Sequence, residues 1–166
     1  LWPADLVRFT LPEPVDLALV LMGSLYVKNT QELRFHFDAL SGALRPGGLY
    51  ILDWCVDFVP ATDMGQSWVQ QRDGIQVVTT YRTVSLDRVE QTYRETVIME
   101  VDDHGEHLRL TETAIKRAIY PQEFLLFIAA RADFEFVGWW NDWDLDQSLD
   151  GRLQRITRPI TALRRI

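Results

Sequence analysis

One junction constrains this chain more than anything else in it. An amphipathic stretch ends at Leu44-Arg45-Pro46-Gly47-Gly48, and the apolar segment Leu49-Tyr50-Ile51-Leu52 follows at once, closed by Asp53. Pro46 cannot continue a helix, because it has no amide proton and its ring collides with the preceding turn; Gly47 and Gly48 permit a sharp exit. Upstream, Asn29 is placed to cap that helix, with Glu32 three residues later completing a capping box. Leu33, Phe37, Leu40 and Leu44 recur at i, i+4, i+7 and i+11, a single helical face. Before the helix, residues 15–22 form a near-continuous apolar run, as expected of a strand covered on both faces. Strand, helix, turn and strand make the crossover unit of a parallel sheet, so the chain belongs to the α/β class.

The rest of the chain changes texture. Residues 1–14 are a connection with a short apolar element at Leu6-Val7. From Ser67 to Tyr120 the apolar period becomes two, and Asp73-Gly74 and Asp102-Asp103-His104-Gly105 are hairpin turn signals. Val89, Gln91, Tyr93, Glu95, Val97, Met99 and Val101 are expected on one face of one strand. Leu108, Leu110, Ala114, Ala118 and Tyr120 are expected to continue an inward face. Residues 67–120 therefore read as an inserted antiparallel meander of three or four strands within a single domain, 1–166. Pro121 suits the first turn of a helix, with Phe124, Leu125, Ile128 and Ala129 as its apolar stripe. Phe134–Trp140 and residues 160–164 read as the last strands.

Charge and composition narrow the partners. The net charge of −7 argues against a nucleic-acid backbone, which needs a basic surface. No run approaches the roughly 18 apolar residues of a membrane-spanning helix. Residues 133–150 carry six acids and no base, and residues 152–166 carry five arginines and no acid; two neighbouring surfaces that partly neutralise each other are expected, with an anion-binding arginine patch as the alternative. Cys55 is the only cysteine, so no intrachain disulfide forms, which fits a reducing compartment such as the cytoplasm. The chain opens Leu1-Trp2-Pro3 rather than on Met and has no secretory signal, as expected of a piece of something longer.

The ordered series of motifs resembles the second half of a class I S-adenosylmethionine-dependent methyltransferase of the small-molecule type. Asp5-Leu6 resembles the family's pair after the third strand, where the aspartate accepts the adenine amino group. Asp16 resembles the residue that opens the fourth strand. Met22, Gly23 and Ser24 stand at that strand's carboxyl end, where backbone groups of the family flank the methionine part of the cofactor; open α/β sheets in general bind ligands at this end. Leu44–Gly48 matches the phrase before the fifth strand and Pro121-Gln122-Glu123-Phe124 the start of the last large helix. Ala132-Asp133-Phe134 stands where many members have Ala-Gly-Phe. The resemblance implies a Rossmann-like half-sheet of order 4-5-7-6, S-adenosylmethionine as cofactor, and the meander as a lid over a small-molecule acceptor. Tyr26 and Trp54, after the two parallel strands, and Trp68, Tyr81 and Tyr93 in the meander would wall the acceptor; the alternative for each is core packing or a subunit contact.

The resemblance also implies what should lie upstream. None of the nine glycines forms Gly-x-Gly, the family's glycine-rich cofactor loop after the first strand, and no acid for the ribose is in view. Three strands and their helices are expected before residue 1. Without them the strand at Val15–Met22 has an open edge, a template for a further segment or for a second copy in a homodimer. A non-catalytic ligand-binding or dimerisation α+β domain is the alternative reading.

Other constellations yield less. Asp142-Trp143-Asp144-Leu145-Asp146 opens like a calcium loop, but Gln147 stands where Gly is needed and Leu153 where Glu is. His104 and His107 flank a hairpin tip among acids, as a solvated turn would. His36 is expected as a surface or boundary histidine beside the helix's apolar face. Cys55 has no activating partner in sequence and is expected in packing. No general base stands out.

Overall fold

The computed structural model describes residues 3–60, 62–149, 152 and 155–166. The chain divides into two compact units, Leu1–Pro60 with Ala118–Ile166, and Ala61–Arg117.

In the first unit, β1 (Val15–Val20), α1 (Thr30–Ala43), β2 (Leu44–Asp53), α2 (Pro121–Ala129), β7 (Phe134–Asn141), β8 (Asp144–Ser148) and β9 (Pro159–Arg165) build one sheet of order β1-β2-β9-β7-β8. β1 and β2 are parallel, as the crossover demands, while β9 runs antiparallel to both β2 and β7. Asn29 caps α1, its side chain accepting from the Glu32 amide at 2.9 Å. Glu32 returns a bond to the Lys28 amide, one residue short of the capping-box partner. Leu33, Phe37, Leu40 and Leu44 are all buried, although Leu44 is the first residue of β2 rather than the last of α1. Phe37 is the hub, in tilted or edge contact with Tyr50, Phe124, Phe127 and Phe134.

The Pro-Gly-Gly segment is a bulge. Val15 pairs with Leu44 and Leu17 with Leu49, so four residues loop out between two successive contacts. Gly47 has φ +84°, and a Cβ on Gly48 would lie 2.9 Å from the Arg45 carbonyl oxygen and 3.1 Å from that of Asp16. Only glycine permits that approach of the two chains.

The sequence expectations need correction at β1. The strand stops at Val20, because Met22 turns into the left-handed region at φ 55°. It is also not covered on both faces: Leu17 and Leu19 are 51% and 48% exposed while Val20 is buried. Phe37 of α1 packs against Tyr50 of β2, Phe124 of α2 and Phe134 of β7. In α2, Phe124 and Ile128 are buried, but Ala129 is exposed.

The second unit is an antiparallel sheet of order β3-β4-β5-β6, formed by β3 (Met64–Arg72), β4 (Ile75–Asp87), β5 (Thr92–Asp103) and β6 (Glu106–Arg117). Asp73-Gly74 and His104-Gly105 close two hairpins with both central residues at positive φ, the backbone that matches strand twist. The third turn, at 87–91, carries no glycine or proline. Asp87 Oδ1 accepts from the Val89 and Glu90 amides at 2.8 and 3.0 Å, and Gln91 takes φ 56°. Val89 and Gln91 consequently lie in the turn and not on the face of β5. Leu108 and Leu110 are 55% and 51% exposed, so the expected inward face of β6 is absent there.

Candidate functional site

The carboxyl ends of β1 and β2 are joined by one side chain. Asp53, fully buried at the end of β2, accepts from Arg158 Nε at 2.7 Å and from its terminal nitrogen at 2.6 Å. The same carboxylate accepts from the Met22 amide at 3.0 Å, and the Asp53 carbonyl accepts from the Gly23 amide at 2.9 Å. Burial pushes the Asp53 carboxyl up, but hydrogen bonds from Arg158, the Met22 amide and Trp143 outweigh it and hold the group below the usual carboxylate range. The Ser24 amide and hydroxyl both donate to the Leu21 carbonyl. The amides of Met22, Gly23 and Ser24 therefore all have acceptors within the protein, two of them on Asp53. Trp54 follows Asp53 at φ 58°, 53% exposed, with its amide on the Pro159 carbonyl at 2.8 Å.

Three of the expected residues meet in a second place. Asp5, Leu6 and Tyr26 line one open cleft of about 380 Å³ with Val7, Arg8, Lys28, Glu32 and Phe35. Asp5 Oδ1 accepts from the Val7 amide at 2.7 Å, a local turn that fixes the carboxylate. Leu6 is held from the core side. Its carbonyl accepts from His36 Nδ1 at 2.7 Å, and His36 Nε2 meets the Tyr50 hydroxyl at 2.7 Å. A carbonyl can only accept, so in the neutral ring Nδ1 carries the proton and Nε2 accepts from Tyr50. Burial lowers the His36 pKa, against a smaller opposing effect of the Leu6 hydrogen bond, and burial raises that of Tyr50, so the phenol stays protonated. His36 is 1% exposed. It is a core residue, not the surface or boundary residue that the helical spacing suggests, because Tyr50 and Leu6 satisfy both ring nitrogens.

Trp68, Tyr81 and Tyr93 belong to the second unit and share one face of its sheet. Trp68 opposes Thr79, Tyr81 opposes Gln66 and Val97, and Tyr93 opposes Ser85 and Lys116. Tyr93 is buried and Trp68 is 43% exposed. The same face carries Glu95, 8% exposed, which accepts from the Tyr81 hydroxyl at 2.8 Å. Glu95 escapes sequence reasoning because it looks like one more alternating polar residue. Arg158 escapes it as one of five arginines, although Asp53 closing an apolar strand is a signal that a buried charge needs a partner.

The remaining candidates are structural. Among the described residues no group of His, Cys, Asp and Glu could hold a metal ion. The Asp142–Asp146 segment is the β7–β8 turn and first half of β8, with Asp142 and Trp143 at positive φ; Leu153 lies outside the described residues. Cys55 is buried, its thiol near the Asp53 carbonyl at 3.2 Å. Of the opposed acidic and basic segments, Arg164 pairs with Glu135 at 3.3 Å across β9 and β7, and Arg165 donates to the Asp133 carbonyl.

No protein-family model matches the chain, and neither does any curated protein. Solved structures do. An S-adenosylmethionine-dependent methyltransferase from Clostridium acetobutylicum superposes with a TM-score of 0.75 at 15% identity, covering 97% of this chain and 62% of that one. An amino pentose methyltransferase from Micromonospora echinaspora gives 0.70 at 17%, covering 98% and 63%. A sugar N-methyltransferase from a Streptoalloteichus species gives 0.68 at 19%, covering 95% and 60%. The chain has the class I S-adenosylmethionine-dependent methyltransferase fold, and it spans less than two thirds of the length of each of these proteins.

Proposed function

We propose that the full-length protein transfers a methyl group from S-adenosylmethionine to a small-molecule acceptor. In this reading β1, β2, β9 and β7 are the fourth, fifth, seventh and sixth strands of the family's sheet, and β3–β6 form the lid. The observation that carries it is the fold likeness across nearly the whole chain, with Asp5, Leu6 and Tyr26 gathered in one cleft. The residues present suit the adenosyl end: an exposed carboxylate for the adenine amino group, an apolar side chain and an aromatic ring, in a cleft within the roughly 300–1,000 Å³ of small-ligand sites. Bound S-adenosylmethionine supplies a methyl group already activated by its sulfonium. Asp5 and Leu6 hold the adenine, the Met22–Ser24 turn flanks the methionine part, and Tyr26 and Trp54 exclude water at the mouth. Trp68 and Tyr81, on the face they share with Tyr93, are the rings to test for cation–π contact with an ammonium of the acceptor. Two of the similar structures are described as acting on an amino pentose and on sugar nitrogen; an amino sugar is the acceptor class to test first, since an amine deprotonated before attack needs no strong base from the protein.

The absence of Gly-x-Gly among the nine glycines favours a second reading, a non-catalytic binding or dimerisation domain. The exposed edge and face of β1 suit either further strands of the same polypeptide or a second copy. Calorimetric titration of the full-length protein with S-adenosylmethionine separates the readings: micromolar or tighter binding supports the enzyme, and no binding by folded protein supports the alternative.

A further inference from the structure

Arg158 and the turn after β1 meet directly on the Asp53 carboxylate, and the end of β7 is tied to it through the Arg158 backbone. Its buried oxygens hold Arg158 by two parallel bonds and the Met22 amide by a third, and its carbonyl holds the Gly23 amide. Arg158 is itself fixed at both backbone groups: its amide donates to Asn141 Oδ1 at 3.1 Å, and its carbonyl accepts from the Asp142 amide at 2.9 Å. Asn141 Oδ1 accepts from the Thr157 amide as well, at 3.0 Å. The end of β7, the entry to β9, the end of β2 and the turn after β1 are thus tied through one ion pair. The turn needs such a tie. Met22 and Trp54 hold left-handed φ of 55° and 58° without being glycine, a conformation that persists only where the surroundings over-determine it. Arg158 is 39% exposed at its side chain while Asp53 is not exposed at all, so the pair spans from the interior to the surface at the carboxyl end of the sheet.

We infer that Asp53 and Arg158 are positioning residues that set the Met22–Gly23 turn, and that through this turn they govern how tightly the methionine part of S-adenosylmethionine is held. The inference rests on the methyltransferase reading above for its ligand, and on the hydrogen bonds alone for the clamp. Neither residue touches the reacting atoms. A guanidinium fork matches both carboxylate oxygens, whereas a lysine ammonium makes a point contact, so Arg158→Lys keeps the charge and loosens the geometry.

The test compares two ligands on the full-length protein. S-Adenosylhomocysteine carries the amino-acid part and 5′-methylthioadenosine lacks it. Arg158→Lys is expected to weaken S-adenosylhomocysteine binding about tenfold and leave 5′-methylthioadenosine within about twofold. Amide hydrogen exchange at Met22 and Gly23 is expected to quicken in the same variant, and further in Asp53→Asn. A variant that loses both ligands equally has only been destabilised, and that overturns the positioning role. Unchanged exchange at Met22 and Gly23 in a folded variant overturns the clamp. Wild-type protein that binds neither ligand overturns the methyltransferase reading and the cofactor half of this inference, while quickened exchange there still upholds the clamp.

Discussion

The helix-covered sheet of the first unit and the antiparallel meander of the second use apolar residues in opposite ways. In the first, apolar periodicity means burial: Phe37, Tyr50, Leu52, Phe124 and Leu163 are all inaccessible and meet in one cluster. In the second, Val69, Val84, Leu108 and Leu110 are between 44% and 59% exposed, while several buried positions are polar or charged, namely Thr79, Thr83, Glu95, Lys116 and Arg117. Structure in the first unit is set by a core drawn from distant parts of the chain. In the second it is set by three tight turns and a continuous ladder between sequence neighbours. An alternating pattern thus specifies a strand without specifying a core, because the period-two signal is identical whether or not anything covers the apolar face.

Core truncation should break the symmetry between the units most visibly. Phe37→Ala removes the ring on which four aromatic contacts converge and is expected to cost about 3–5 kcal/mol in denaturant unfolding. Leu108→Ala, at 55% exposure, should stay within about 0.5 kcal/mol. Comparable losses from the two would mean that Leu108 is covered in solution and that the contrast drawn above is wrong.

The ion pairs make the same contrast at lower amplitude. Arg158→Met strands a buried carboxylate, and such losses run at about 3–5 kcal/mol; the lower end is expected, because Arg158 is partly solvated. Arg109 and Glu100, at 3.3 Å with 64% and 52% of each side chain exposed, should contribute less than about 1 kcal/mol. The acid limb carries the sign. Asp53 titrates below its ordinary 3.8 in the folded protein, so its stabilisation is present above that value and is lost as pH falls through the folded one. Removing Arg158 should therefore flatten the loss of stability toward acid, and Arg109→Met should leave it unchanged.

How much was legible beforehand follows the same division. Asn29, the Leu33–Leu44 spacing and Pro46-Gly47-Gly48 specify α1 and β2 because local propensity and tertiary burial agree there. The Asp73-Gly74 and His104-Gly105 turns are equally plain. The 87–91 turn was not, because an aspartate accepting two amides and a left-handed Gln91 replace the usual glycine. The hairpin strand β8 was masked by its row of aspartates. In the site, Asp5, Leu6 and Tyr26 could be named and do share a cleft, and the aromatic trio shares a face. The Asp53–Arg158 bond spans 105 positions, and no local pattern reports a partner at that distance. His36 was placed on the correct helix and the wrong side of the surface, since its two partners, Leu6 and Tyr50, are identifiable only once the fold exists.

Ligand affinity gives the next smaller effect. Asp5→Ala in the full-length protein removes a charged acceptor worth about 1.5–3 kcal/mol, so S-adenosylmethionine should bind roughly tenfold to a hundredfold more weakly. No substitution on the meander face, Trp68→Ala included, should alter that affinity as much if the two units divide cofactor from acceptor. An unchanged dissociation constant for folded Asp5→Ala would mean that the first segment is not the adenine site.

The smallest effect tests how that segment is held. His36 joins the Leu6 carbonyl to the Tyr50 hydroxyl as a neutral ring, and burial lowers its pKa from 6.5. A group with a depressed folded pKa stabilises the fold above its unfolded value and ceases to do so as pH falls through the folded one. Wild-type stability should therefore decline below about pH 6.5, with a slope for this one group of at most about 1.4 kcal/mol per pH unit. His36→Gln can still donate to Leu6 but cannot take up a proton, and His104 and His107 remain in both proteins. Urea unfolding at pH 7.5 and pH 5.5 should show a smaller pH difference in the variant than in the wild type. Equal differences would mean that protonated His36 is accommodated in the fold, and that the anchor of Leu6 to α1 is looser than its 2.7 Å bond to His36 describes.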